Sequence, residues 1–120
     1  MREHRRDKER LEHILAAIDR IVRYMQGRTR KDLVEDDMLY YAVVKNIEII
    51  GEAANMLTSD FVDQHPQTPW KMVRGMRNYI VHEYFQIDND VVWNVVSGEI
   101  HSLREQIVKY LSETNWEEWE

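Results

Sequence analysis

Cysteine is absent from this 120-residue chain, which rules out both a disulfide framework and a thiolate metal site. Glycine (four) and proline (two) are scarce, and so little turn punctuation favours a few long helices over many short strands. Long apolar runs are missing as well. No stretch is apolar enough to span a bilayer, and residues 1–10 lack the apolar centre of a secretory leader. The expectation is a soluble, cytoplasmic protein with no membrane partner. There is no internal repeat, low-complexity tract or glycine-rich phosphate loop.

What is present reads as one globular domain over residues 1–120, with 1–6 and 113–120 expected to fray. Hydrophobic residues make up 43% and charged residues 32%, a balance that favours a packed core over disorder. The net charge of −6 argues against a broad nucleic-acid coat, because phosphate neutralisation supplies most non-specific affinity. Its distribution softens that objection. Lys71, Arg74, Arg77 and His82 lie in a stretch without an acid, while Glu113, Glu117, Glu118 and Glu120 gather at the C-terminus. A cationic cleft on an acidic body stays open.

Four helices can be read. Leu11, Ile14, Leu15, Ile18, Ile21, Val22 and Met25 recur at spacings of three and four, ending before Gly27, a natural C′ residue. Arg5, Arg6, Lys8, Asp19, Arg20 and Arg23 fall off that stripe. The second helix, opened by Glu35, Asp36 and Asp37, carries two adjacent seams. One is Leu39, Val43, Asn46, Ile50, Ala53 and Leu57; the other is Tyr40, Val44, Ile47, Gly51 and Ala54. A face this wide predicts a central helix, and Gly51, Ala53 and Ala54 allow a neighbour to come close. A linker over 58–68, with a short turn around Phe61, leads to Thr68 as N-cap and Pro69 as first residue of the third helix. That helix ends near Tyr84 or Phe85. Asp88 then caps a fourth, whose stripe is Val92, Val96, Ile100, Leu103, Ile107 and Leu111. The reading is an all-α, antiparallel bundle of four to five helices.

The third helix carries the chemistry. Arg77, Asn78, His82 and Tyr84 join a permanent cation, an amide, a proton shuttle near neutral pH and a modifiable hydroxyl. On a regular helix Arg77 and Tyr84 share a face, but Arg77 and His82 are turned about 140° apart. One helix therefore does not converge them on one small ligand. Either the helix loosens near His82 or a second copy of the chain completes the site across a two-fold axis; the dimer is preferred, since it doubles the local positive charge.

Three ordered blocks resemble the HepT-like branch of the HEPN superfamily. They are residues 44–54 (VKNIEIIGEAA), residues 64–85 from Gln64 through Gly75-Met76-Arg77-Asn78 to Val81-His82-Glu83-Tyr84-Phe85, and residues 87–93, with Ile87-Asp88 and Val91-Val92-Trp93. The resemblance spans roughly 41–107 and is more specific than the Arg-to-His spacing alone. It implies a bundle homodimer whose two motifs meet at the interface. It also implies a metal-independent endoribonuclease toxin, requiring no cofactor, that is paired with a minimal nucleotidyltransferase antitoxin, with a higher assembly open. In that reading Arg77 and His82 are catalytic: Arg77 stabilises the scissile phosphate and His82 serves as base or acid while the 2′-OH attacks. Asn78 supports them, and Tyr84 is the target of inhibitory adenylylation. The alternative function is a non-catalytic helical module that docks a nucleotidyltransferase and presents a nucleotide or substrate to it.

Plainer readings stand beside these. Arg77 could pair with acids, His82 could sit at a helix end favoured by the dipole, and Tyr84 could be an amphipathic interface residue. Asn46 is expected to be a buried polar residue that sets helix register. Glu48 and Glu52 share a face with Lys45 and read as a solvated charge network. His4, His13, His65 and His101 lack ligand spacing, so no metal site is expected. Trp70 and Trp93 read as core anchors.

Overall fold

The structure is a computed structural model that describes the backbone of residues 2–81 and 89–119, and the side chains of 4–77 and 89–119. Every regular element among these residues is helical, as the scarcity of glycine and proline implied. Helix α1 (Arg2–Tyr24) is followed by α2 (Arg30–Glu35), α3 (Asp37–Asn55), α4 (Ser59–Gln64) and α5 (Trp70–Val81). Helix α6 (Asn89–Asn94) runs through a π-helical turn, Val95–Glu99, into α7 (Ile100–Glu113), and α8 (Trp116–Trp119) closes the chain.

The long helices follow the sequence stripes. Leu11, Ile14, Ile18 and Ile21 of α1 are fully buried against Val43, Ile47, Ile50 and Ala54 of α3 and Ile100, Leu103 and Ile107 of α7. Each such aliphatic contributes about 1.5–3 kcal/mol relative to an exposed position. Helix α3 packs on both α1 and α5, the central place its double seam predicts. The fourth stripe includes the spacing Val92, Val96, Ile100, which drifts off one face of an ideal α-helix. The wider π turn takes up that drift, and all three residues are buried.

Caps explain the breaks. Gly27 takes φ +73°, the left-handed conformation that suits glycine after a helix end. Thr29 and Asp32 form a reciprocal capping box on α2, and the bond from the Thr29 backbone N–H holds the Asp32 carboxyl below its ordinary range. Asp36 ends α2 with its backbone N–H and opens α3 with its side chain, which accepts from Leu39 N at 3.1 Å.

Several expectations change. The helical pieces α2 and α8 lie outside the four long helices read from periodicity, whereas α4 is the short turn read around Phe61. The ends expected to fray over 1–6 and 113–120 pack in part: α8 places Trp116 and Trp119 on Phe61, and His4 stacks on Trp119 at 4.9 Å. Thr68 does not cap α5. The Pro69 carbonyl accepts the first helical bond, from Val73 N, and the buried Thr68 hydroxyl turns to α7. There it donates to Gln106 Oε1 at 2.7 Å and bonds the Tyr110 hydroxyl; burial raises Tyr110 above the ordinary phenol value of 10.0. Asp88, the expected cap of the fourth helix, lies outside the described residues.

Candidate active site

Arg77 lies on α5 opposite Gly51 of α3, while Arg74, one turn earlier, lies opposite the C-terminal end of α3. The two helices therefore run antiparallel. The approach at Arg77 is very close. A Cβ added to Gly51 would stand 2.7 Å from Arg77 N and 2.9 Å from Arg77 Cβ, so only glycine fits against this backbone without a shift. The small-residue expectation for α3 is thus met at Gly51, and the neighbour it admits is the motif helix.

The Arg77 side chain reaches outward and is 46% exposed. Its Nε stands 3.4 Å from Glu52 Oε1, a carboxylate that is itself 45% exposed. A half-solvated pair of this kind contributes at most about 0.2–1 kcal/mol to stability. Its consequence is orientation: contact at the Nε edge directs the guanidinium from one side. Lys45 pairs with Glu48 at 3.9 Å, as expected for a solvated network, but Glu52 does not join it. Glu52 was missed as a partner of the motif because the connection crosses between helices, and the signal available was its position directly after Gly51.

The apparent cationic run divides in three dimensions. Arg74 turns into the end of α3, donating from Nε to the Ala54 carbonyl at 3.1 Å and from Nη2 to the Leu57 carbonyl at 3.3 Å. Ala54 lies in the last turn of α3 and Leu57 just beyond its C-cap Met56, so Arg74 caps the end of that helix from another element. Lys71 is exposed, and Arg77 remains as the surface cation beside the α3–α5 crossing. The backbone of Asn78 continues α5; its side chain, and the whole of His82 and Tyr84, lie outside the described residues. The distances that would join Arg77 to them do as well.

On the adjoining face, Met72 and Met76 of α5, Ile47 of α3 and Val91, Val92 and Val95 border a largely apolar cleft of about 330 Å³, with Asn94 and Glu99 at its polar side. Asn46 stays away from this surface. It is buried, donates to the Ala42 carbonyl at 2.8 Å and accepts from Arg20 Nε at 2.7 Å, tying α3 to α1 as a register-setting residue would. Arg20 was read as off the core stripe; its long stem lets the head fold back to Asn46. Trp70 is buried and donates to the His65 carbonyl at 3.0 Å, whereas Trp93 is only partly buried against the core. Among the described residues, no group of three or more His, Asp or Glu side chains could hold a metal ion, and no helix is long and apolar enough to cross a membrane.

Comparison with known proteins places this geometry in context. The family described as "Ribonuclease HepT-like" matches residues 14–110. A "Putative RNase" of Caldanaerobacter subterraneus subsp. tengcongensis is 37% identical over 101 residues, covering 84% of this chain and 90% of that protein. A "Probable ribonuclease HepT" of Thermococcus cleftensis is 35% identical over 105 residues, covering 88% and 96%. A "Putative RNase" of Methanocaldococcus jannaschii is 31% identical over 94 residues, covering 78% and 86%. No solved structure matches the chain.

Proposed function

Because the chain belongs to the HepT-like ribonuclease family, we propose that it is a metal-independent endoribonuclease toxin whose active centre forms where two copies bring their motif helices together. The observation that carries this reading is Arg77, a half-exposed guanidinium rooted at the tight α3–α5 crossing inside the family match. A fixed cation at the surface suits an RNA phosphate, whose charge grows as the phosphorane forms.

The reaction follows from those groups. His82 takes the proton of a ribose 2′-OH, whose oxygen attacks the adjacent phosphorus while Arg77 stabilises the equatorial oxygens. The bond to the 5′-oxygen breaks, that oxygen receives a proton from a second acid, and the products are a 2′,3′-cyclic phosphate and a 5′-OH end. The second acid is met by His82 of the other copy, which gives the homodimer a chemical reason. Asn78 orients His82 or the phosphate. Tyr84, seven residues from Arg77, is the site for regulation: its oxygen attacks the α-phosphorus of ATP on a partner nucleotidyltransferase antitoxin, pyrophosphate leaves, and the attached adenylate covers the guanidinium.

Purified wild type and His82→Ala, incubated with RNA in chelator, test the proposal. Wild type is expected to leave cyclic phosphate ends and His82→Ala to leave the RNA intact. Equal cleavage by both, or dependence on added metal, contradicts it. Intact mass after co-expression with the antitoxin tests Tyr84, and adenylate mapped to another residue removes that regulatory role.

A further inference from the structure

We propose that Glu52 is a positioning residue for Arg77, setting the direction in which its guanidinium meets the RNA phosphate; the inference rests on the assignment of Arg77 to phosphate binding. Two separate features lead to it. The root of Arg77 is held because the α5 backbone is pressed onto Gly51, where even a methyl group would come within 2.7 Å of Arg77 N. The tip is held because Glu52, the next residue of α3, places Oε1 3.4 Å from Arg77 Nε. An arginine has many rotamers to lose, and a side chain anchored at its root and paired near its tip loses less of that freedom when substrate arrives.

Glu52 also has an opposing effect. A carboxylate beside the phosphate site repels RNA in the ground state, so removing it raises the local charge by one. The two effects fall on different kinetic constants. Loss of orientation lowers kcat, because the guanidinium is then less often aligned with the charge that develops in the transition state. Loss of repulsion lowers KM. A residue that only supports the fold lowers kcat together with Tm or with a raised KM, and a bystander acid has only the second signature.

The experiment uses the full chain and a fluorophore-quenched single-stranded RNA oligonucleotide, comparing wild type, Glu52→Gln and Arg77→Ala, with thermal melts of each. Glu52→Gln is expected to lower kcat about tenfold, leave KM equal or lower, and leave Tm in place. A wild-type kcat in Glu52→Gln beside an inactive Arg77→Ala overturns the positioning role while Arg77 keeps its own. A lower kcat accompanied by a raised KM or a clear fall in Tm also overturns it, since that is what a structural role predicts. If Arg77→Ala cleaves like wild type, or wild type does not cleave, the assignment of Arg77 fails and this inference falls with it.

Discussion

Two regions of the molecule combine charge with close packing and reach opposite results. At the α4 end, Asp7 is fully buried and its carboxylate accepts three bonds: from Thr58 N at 2.8 Å, the Thr58 hydroxyl at 2.6 Å and Trp119 Nε1 at 3.0 Å. Around it Phe61 meets His65, Trp70, Tyr110, Trp116 and Trp119. At the α3–α5 crossing the backbones also come close, yet the charged pair Glu52–Arg77 stays about half exposed. A buried carboxylate with every donor supplied locks chain segments together. A solvated pair adds little stability but keeps a cation available. The first region serves the fold, and the second leaves a charged group at the surface.

Substitutions can break that division, and the largest effect belongs to the crossing. Arg77→Ala is expected to reduce RNA cleavage by about 10²–10³-fold or more while its chemical-denaturation midpoint stays near wild type. A large stability loss would show that the crossing also serves the fold. Phe61→Ala is expected to cost about 3–5 kcal/mol of unfolding free energy, measured in urea, with the cleavage rate per folded molecule preserved at low temperature. Gly51→Ala sharpens the contrast from the other side. Its methyl must push α5 away, costing about 1–3 kcal/mol, and cleavage should fall further than stability if Arg77 is being aimed from that contact. Asp7→Asn is expected to cost about 1–3 kcal/mol, because the amide cannot accept from all three donors, with no change in kcat.

The smallest effect is one of pH. Burial raises Tyr110, so the native state holds this proton more tightly than the unfolded chain. The stabilisation is fully present below the ordinary phenol value of 10.0 and declines as pH rises toward the higher native value. Ultraviolet titration should show one tyrosine ionising late, and Tyr110→Phe should flatten that part of the stability curve. A late, wild-type-like ionisation that persists in the variant would place the late tyrosine elsewhere.

Much of the scaffold was legible because helix periodicity is local. The stripe from Leu11 to Ile21, the double seam of α3 and the buried Trp70 need only spacings within one segment. Asp7 shows where a local reading stops. It lies one turn before Leu11 on the same stripe, a visible signal, but an acid among the charged residues of the N-terminus does not read as core. Its partners Thr58 and Trp119 are 51 and 112 residues away, and nothing local states that they meet. Thr68 is similar: its type and place suit a cap, while Tyr110 and Gln106 offered its hydroxyl a buried alternative.

The candidate site divides along the same line. Periodicity and the scarcity of glycine and proline by themselves determined the helical class. The family resemblance of the ordered blocks around Arg77 and His82 named the ribonuclease family and the residues to suspect. Both depend on residue type and order along one chain. Tertiary structure alone decided that Arg74 caps α3, that Glu52 faces Arg77 and not Lys45, and that Gly51 sets how near the motif helix comes. Those outcomes depend on which helix lies across from which, and at what distance, and charge and packing act through space, whatever the separation in sequence.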